Sequence, residues 1–288
     1  MRFNYNFLIL EYNLLGDIMS KIGIISDIHA NIDALKLVLK DMEINGVDEI
    51  ICLGDLVTKY FYPKETVDLI KENCSVVVKG NCDDLVANDE RYKYARGKLG
   101  LNRIEYLDNL PLSYNMKINN INFNMFHATP NSLDKIFNPL FSHNALTPYK
   151  DKIITDSNEM FECDNEVVVC AHTHQSYIGR VKDNNFKLLM NNIILEGNEK
   201  VIINVGSAGE HSHMICFNDT VETMIDPFLS YLTIEDMNDF LYARIKYVPY
   251  KETLKKVYLD ILKKERESLI PYSPRDKEKI EKSLKLMR

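Results

Sequence analysis

The sequence predicts an α/β protein, a layered sandwich with two sheets inside and helices outside. Three observations carry this. In the first third, short apolar runs alternate with helix-length amphipathic segments; beyond about residue 110 strand pairs follow one another with turn residues between them; from about Thr233 the pattern turns helical. The 288 residues are 45% hydrophobic and 27% charged, enough for one sizeable core or two modest ones and unlike a disordered or membrane-spanning chain.

The first strand is KIGIIS (21–26). NIDALKLVLKDMEING follows, with Ile32, Leu35, Val38, Leu39 and Met42 at helical spacing and Gly46 as its stop. Next come the strand EIICLG (49–54), a polar loop through Pro63, a helix around KETVDLIKEN and the strand SVVVKG (75–80). This βαβαβ order implies parallel strands with right-handed crossovers. SYNMKINNINFNMFHA reads as a hairpin turning at Asn119 and Asn120. EVVVCA, SYIGRV, FKLLMNNIILE, KVIINVG and HMICF are further strands, and EVVVC reads as buried on both faces because it is short, apolar and β-branched. TIEDMNDFLYARI is read as a helix capped by Thr233, and SPRDKEKIEKSLKL as another with Ser273 as cap and Pro274 at its first position. The expected divisions are an N-terminal extension over 1–20, the sandwich over 21–225 and a C-terminal helical segment over 226–288. MSKIGIISD from Met19 resembles a natural protein start, so residues 1–18 are read equally as a loose extension or a misassigned start.

Six scattered cysteines with no CxxC and no secretory leader argue against a disulfide framework or a thiolate zinc site and place the chain in a reducing cytoplasm. The formal charge of −7 argues against a broad nucleic-acid face. Residues 251–288 carry 12 Lys or Arg against 7 Asp or Glu, a bias best read as a solvated helical face. No membrane partner is expected, and the oligomeric state is left open.

The chemistry sits at strand ends. IISDIH supplies Asp27 and His29, ICLGD supplies Asp55, VVVKGN supplies Asn81, NMFH supplies His127, and AHTHQ supplies His172 and His174. Each motif alone has a plain explanation: Asp as a helix cap, GD and GN as turn pairs, HxH as loop residues. Together they place four of the seven histidines and three other N or O donors at five strand ends, and the carboxyl ends of parallel strands share one edge of a sheet. His172 and His174, two apart in extended chain, would point the same way and could converge on a metal.

The order DxH, GD, GN, H, HxH resembles the calcineurin-like metallophosphoesterases, whose fold is a four-layer α/β/β/α sandwich. The resemblance covers residues 27–174, and reaches about residue 225 if INVGSAGE (203–210) matches the family's asparagine-bearing strand and Gly-Ser turn. It implies that Asp27, His29 and His174 hold one metal, that Asn81, His127 and His172 hold a second, and that Asp55 bridges them; Asn81 would also touch the substrate. It implies hydrolysis of a small phosphoester by in-line attack of a hydroxide held between the ions. The donor set suits Mn, Fe, Zn, Ni or Co, with manganese the first expectation.

Where the family often carries GNH followed by an acid, this chain reads GNCDD, so Cys82 takes the histidine's place and Asp83 the acid's. A thiol near its ordinary pKa is a poor substitute for imidazolium. Both residues are weak catalytic candidates, and the change favours a phosphodiester. Ala30 and Ala171 replace common glycines at little cost if their φ is negative. After INVGSAG the family often has arginine; this chain has Glu210, followed by His211 and His213, which read as strand residues, while His143 reads as a loop residue. Tyr60, Phe61 and Tyr62 are candidates to line a pocket, with burial as their default role. Two alternatives remain: a non-catalytic metal-binding scaffold, as in the family branch that serves the endosomal retromer coat, and, more weakly, a nuclease guided by the basic C-terminal segment.

Overall fold

A computed structural model describes residues 20–139, 153–154, 157–162, 165–182, 185–189, 191–210, 212–217 and 220–250. The expected N-terminal extension, the SPRDKEKIEKSLKL helix, His143 and His211 lie outside the described residues.

The chain begins with β1 (Lys21–Ile25), α1 (Ile32–Ile44), β2 (Glu49–Cys52), α2 (Pro63–Asn73) and β3 (Val76–Val77). Three short helices follow, α3 (Asn81–Asn88), α4 (Lys93–Leu99) and α5 (Leu101–Asp108), and then the hairpin β4 (Ser113–Ile118) and β5 (Ile121–Phe126). The remaining elements are β6 (Ile136–Phe137), β7 (Ile153–Ile154), a 3₁₀ turn over Ser157–Met160, β8 (Val167–Cys170), β9 (Tyr177–Lys182), β10 (Asn185–Leu188), β11 (Asn192–Leu195), β12 (Lys200–Asn204), β13 (Ser212–Phe217), β14 (Thr220–Ile225), β15 (Phe228–Asp236) and β16 (Leu241–Pro249).

Two six-stranded mixed sheets result, ordered β11-β16-β15-β1-β2-β3 and β10-β9-β12-β8-β5-β4. In the first, β1, β2 and β3 are parallel as the βαβαβ reading requires. The hairpin turns at Asn119 (φ 44°) and Asn120 (φ 66°), the left-handed pair that matches strand twist.

Side-chain alternation assigns each strand to two layers at once. Ile22 and Ile24 of β1, Ile51 of β2, Val167 and Val169 of β8, and Val201 and Ile203 of β12 fill the layer between the sheets. Ile25 and Cys52 face the opposite way and pack on the helices through Leu35, Val38 and Met42 of α1 and Val67 and Ile70 of α2. Val168, Cys170 and Ile202 face outward from the second sheet, where Phe137 and Met160 cover them. All five α-helices of the described residues thus lie on the first sheet, and Phe137 and Met160 pack on the other side.

One expectation fails. TIEDMNDFLYARI is not a helix: β15 and β16 form a hairpin across residues 237–240, and β15 pairs antiparallel with β1. The helical reading arose because β15 is buried on both faces, with Leu229 and Tyr231 toward the helices and Leu232 and Ile234 toward the second sheet, so polar alternation is lost. Asn238 (φ 67°) makes the turn that separates the two strands. A boundary at 225 therefore cuts through the first sheet.

Candidate metal centre

All seven predicted donors lie in loops at strand ends or at the start of α3, and they come together. Five of them occupy the left-handed region: Asp27 (φ 55°), His29 (52°), Asp55 (55°), His172 (67°) and His174 (61°). Such conformations cost roughly 1–3 kcal/mol each and persist where the surroundings over-determine them. Here the surroundings are neighbouring loops. Asp27 N donates to Gly54 O (3.0 Å), His29 N to Asp55 O (2.8 Å) and Ala30 N to Leu56 O (2.8 Å), while Ala171 N donates to His127 O (2.8 Å). Ala30 itself has φ 61°, so the negative φ expected for it is corrected; its backbone is held left-handed by the same stitching. His172 and His174 likewise do not share a direction through extended chain. Left-handed turns send them to two different neighbours.

One cluster is built on Asp27, His29 and His174. His174 Nε2 stands 3.1 Å from His29 Nε2 and 3.2 Å from Asp27 Oδ1, and His29 Nε2 is 3.7 Å from Asp27 Oδ1. The other is built on Asn81, His127 and His172: His127 Nε2 is 3.1 Å from Asn81 Oδ1, and the His127 and His172 rings lie 5.1 Å apart. Asp55 stands between them, with Oδ2 3.7 Å from His29 Nε2 and Oδ1 3.5 Å from His127 Nε2.

The donor chemistry of these contacts calls for a cation. His127 Nδ1 faces Leu53 O at 2.8 Å and His174 Nδ1 faces Ser212 O at 2.8 Å; a carbonyl only accepts, so both Nδ1 atoms carry the proton. In its neutral form each ring presents a bare Nε2 lone pair to other acceptors, Asn81 Oδ1 in one cluster and Asp27 Oδ1 in the other. Asp27 Oδ1 is buried without a hydrogen-bond partner. Acceptors facing acceptors in a buried site are costly unless a positive ion sits among them, and imidazole, amide and carboxylate donors suit a divalent transition metal.

Electrostatics keeps the set ready to ligate. Burial alone would raise the Asp27 and Asp55 carboxyls, but neighbouring imidazoles, chiefly His174 for Asp27 and His127 for Asp55, hold both below the usual range. Burial, then the repulsion of His127, lowers His172 to about 4, so it is neutral at pH 7. Burial also lowers His29, aided by the charge of Lys59. At His127 burial lowers the pKa, but the charges of Asp55 and Asp27 outweigh it and the net direction is upward.

Several residues that a motif reading passes over hold this arrangement. Asn204 donates to Ala171 O (2.7 Å) and Thr173 Oγ1 (3.0 Å), fixing the loop of His172 and His174. Ser207 Oγ donates to Asp27 O at 2.8 Å and accepts from Glu210 N at 2.7 Å. The Asn and Ser of the run INVGSAG were the sequence signal for them. Gly54 (φ 93°) and Gly80 bring their loops into backbone contact, and a Cβ on Gly80 would fall on Asp55 N and Oδ1. The GD and GN pairs thus contain glycine because no side chain fits between them.

Asp83, a catalytic candidate from the sequence, lies beneath the Asp55 loop. It is fully buried, and its oxygens accept from Asp55 N (2.8 Å), Leu56 N (2.9 Å) and Gly80 N (3.0 Å). Burial and the Asp55 charge push its carboxyl up to about 7, against the N–H bonds that favour the ionised form. Cys82 does adjoin the site: its Sγ groups with donor atoms of His29 and Asp55, and its backbone N donates to Asp55 Oδ1 (2.7 Å). Burial, then the charge of Asp55, pushes the thiol well above its usual range, so it stays protonated. Phe61 is buried, and Tyr62 packs against the helix layer.

A sequence profile described as the calcineurin-like phosphoesterase superfamily domain matches residues 20–221. The chain belongs to the calcineurin-like phosphoesterases. Within that family it is 31% identical over 205 residues to the uncharacterized protein MJ0912 of Methanocaldococcus jannaschii, a match that spans 67% of this chain and 78% of that protein. The fold is shared with a metallophosphoesterase from Sphaerobacter thermophilus (TM-score 0.61, 22% identity, 88% of this chain and 95% of that one) and with the protein PH1004 from Pyrococcus horikoshii OT3 (TM-score 0.58, 18% identity, 87% and 95%). The calcineurin-like phosphoesterases are a metal-dependent family, and the His and Asp donors of this chain cluster in groups that could hold a metal ion.

Proposed function

We propose that this phosphoesterase hydrolyses a small phosphodiester at a dinuclear centre in the cytoplasm, with Asp27, His29 and His174 holding one divalent ion, Asn81, His127 and His172 the other, and Asp55 shared. The carrying observation is the pair of adjoining clusters in which bare lone pairs face one another across Asp55. Two divalent ions, manganese first, would supply Lewis-acid stabilisation of phosphoryl oxygens and a water of lowered pKa.

The protein's share is orientation. Leu53 O and Ser212 O fix the tautomers of His127 and His174, and Asp83 fixes the peptide of Asp55. No side chain needs to act as nucleophile. Cys82, protonated and uncharged, offers neither the cation nor the readily released proton of an imidazolium. This favours a diester, which brings less negative charge than a monoester. A cleft of about 280 Å³ opens beside His174, walled by Glu210, Asp226, Phe228, Ser230 and Tyr247, and gives one ester arm a place to lie. No helix among the described residues is long and apolar enough to cross a membrane.

The test is manganese-dependent hydrolysis of bis-p-nitrophenyl phosphate against p-nitrophenyl phosphate, with a chelator control. Nitrophenolate leaves without a proton, so the assay does not depend on a general acid. Chelator-sensitive turnover with the diester preferred is expected. Full metal loading with no turnover of either ester would refute the proposal and leave the scaffold reading.

A further inference from the structure

We propose that Lys59 binds a non-bridging oxygen of the phosphoester, supplying at this site the positive side chain that Cys82 does not. This rests on the function proposed above.

The loop after Asp55 is bent to deliver it. Thr58 (φ 77°) and Lys59 (φ 55°) are consecutive left-handed residues, unusual for a β-branched side chain and costly without glycine. Both flanking residues are tied to His29: Thr58 Oγ1 lies 3.4 Å from His29 Nδ1, and Tyr60 N donates to His29 O at 3.0 Å. Lys59 is thereby bracketed against the first metal cluster. Its Nζ stands 3.7 Å from Glu210 Oε2, and Glu210 N donates to Asp27 O (3.2 Å) while Glu210 and His174 wall the same cleft. The ammonium therefore stands beside Glu210, which walls the cleft next to His174.

Its partnership leaves it able to move. Glu210 Oε1 accepts from Ser212 N (3.1 Å) and Ser212 Oγ (2.7 Å), so the carboxylate is fixed, whereas the contact to Lys59 is longer than a hydrogen bond. The Lys59 side chain keeps 34% of its surface exposed. Lys79, the basic residue just before Gly80, is committed elsewhere: it is buried, with Nζ donating to Asp108 O at 2.6 Å. An anion entering beside the buried carboxylates of Asp27 and Asp55 meets no positive side chain at Cys82, and Lys59 is placed to offset its charge as a flexible point cation.

The experiment compares manganese-loaded wild type, Lys59→Gln and Lys59→Arg by metal content, by calorimetric titration with inorganic phosphate and by diester hydrolysis. Lys59→Gln should keep wild-type metal content and bind phosphate about ten- to a hundredfold more weakly, as loss of one charge-assisted hydrogen bond predicts. Its KM should rise, and Lys59→Arg should recover most of the loss. Wild-type phosphate affinity and kinetics in metal-replete Lys59→Gln would overturn the inference; so would loss of metal in that variant, which would make Lys59 part of the centre's construction. A wild-type protein that takes up neither metal nor phosphate would overturn the function beneath it.

Discussion

Asp83→Asn separates support from catalysis. The carboxylate is fully buried and takes three backbone N–H bonds, two at Oδ2 from Asp55 and Gly80 and one at Oδ1 from Leu56. An asparagine oriented to keep the first two must aim its NH₂ group at the Leu56 N–H. One buried donor then loses its acceptor and meets a second donor, at a cost of about 1–3 kcal/mol. For a domain of this size that corresponds to a fall in Tm of roughly 2–12 °C at about 2–4 °C per kcal/mol. Because the displaced Leu56 N–H belongs to the residue next to Asp55, the Asp55 loop should shift and metal affinity drop about ten- to a hundredfold, the usual effect of losing a residue that orients a ligand. Differential scanning fluorimetry with and without manganese reads the first effect, and equilibrium dialysis the second. Wild-type Tm and metal affinity, with turnover lost only on esters whose leaving group needs a proton, would refute this reasoning and return Asp83 to the role of acid.

Four further outcomes follow from the same geometry. Gly80→Ala places a methyl on the Asp55 backbone and should destabilise by more than about 3 kcal/mol, read by urea titration; a variant as stable as wild type would contradict the loop contact. Asp55→Asn should keep the folded far-UV spectrum but lose more activity than the ten- to hundredfold typical of a supporting residue, measured on the nitrophenyl diester. Cys82→Ser should leave metal content and nitrophenyl diester turnover unchanged, whereas a fall in bound metal by mass spectrometry would show that the sulfur ligates. Truncation after residue 225 removes β15 and β16 and bares the edge of β1, so the product should be unfolded by circular dichroism, in contrast to a chain whose C-terminal part is a separate helical segment.

The site was more legible than the frame around it. Its seven donors fall in short motifs that each follow an apolar run, and a strand end is where a polar side chain can leave the core without losing backbone hydrogen bonds. The βαβαβ start and the Asn119–Asn120 hairpin were legible for similar reasons, since turn residues and periodicity act locally. The β15–β16 hairpin was not, because β15, buried on both faces, loses its alternation and Ile234, Met237 and Leu241 then fall at helical spacing. Asp83, Asn204 and Ser207 act through hydrogen bonds to residues far away in sequence, so only the fold shows what they hold. Left-handed φ at Ala30, Thr58 and Lys59 was hidden for the same reason, being imposed by bonds from other loops.

The most direct test counts metal. Protein purified and dialysed against manganese should carry two ions per chain by plasma mass spectrometry, with His174→Ala and His172→Ala each reduced to about one while remaining folded, as expected if the two histidines serve separate clusters. A wild-type protein that saturates at one ion, or a single histidine variant that loses all metal at saturating manganese while remaining folded, would contradict a pair of sites joined through Asp55.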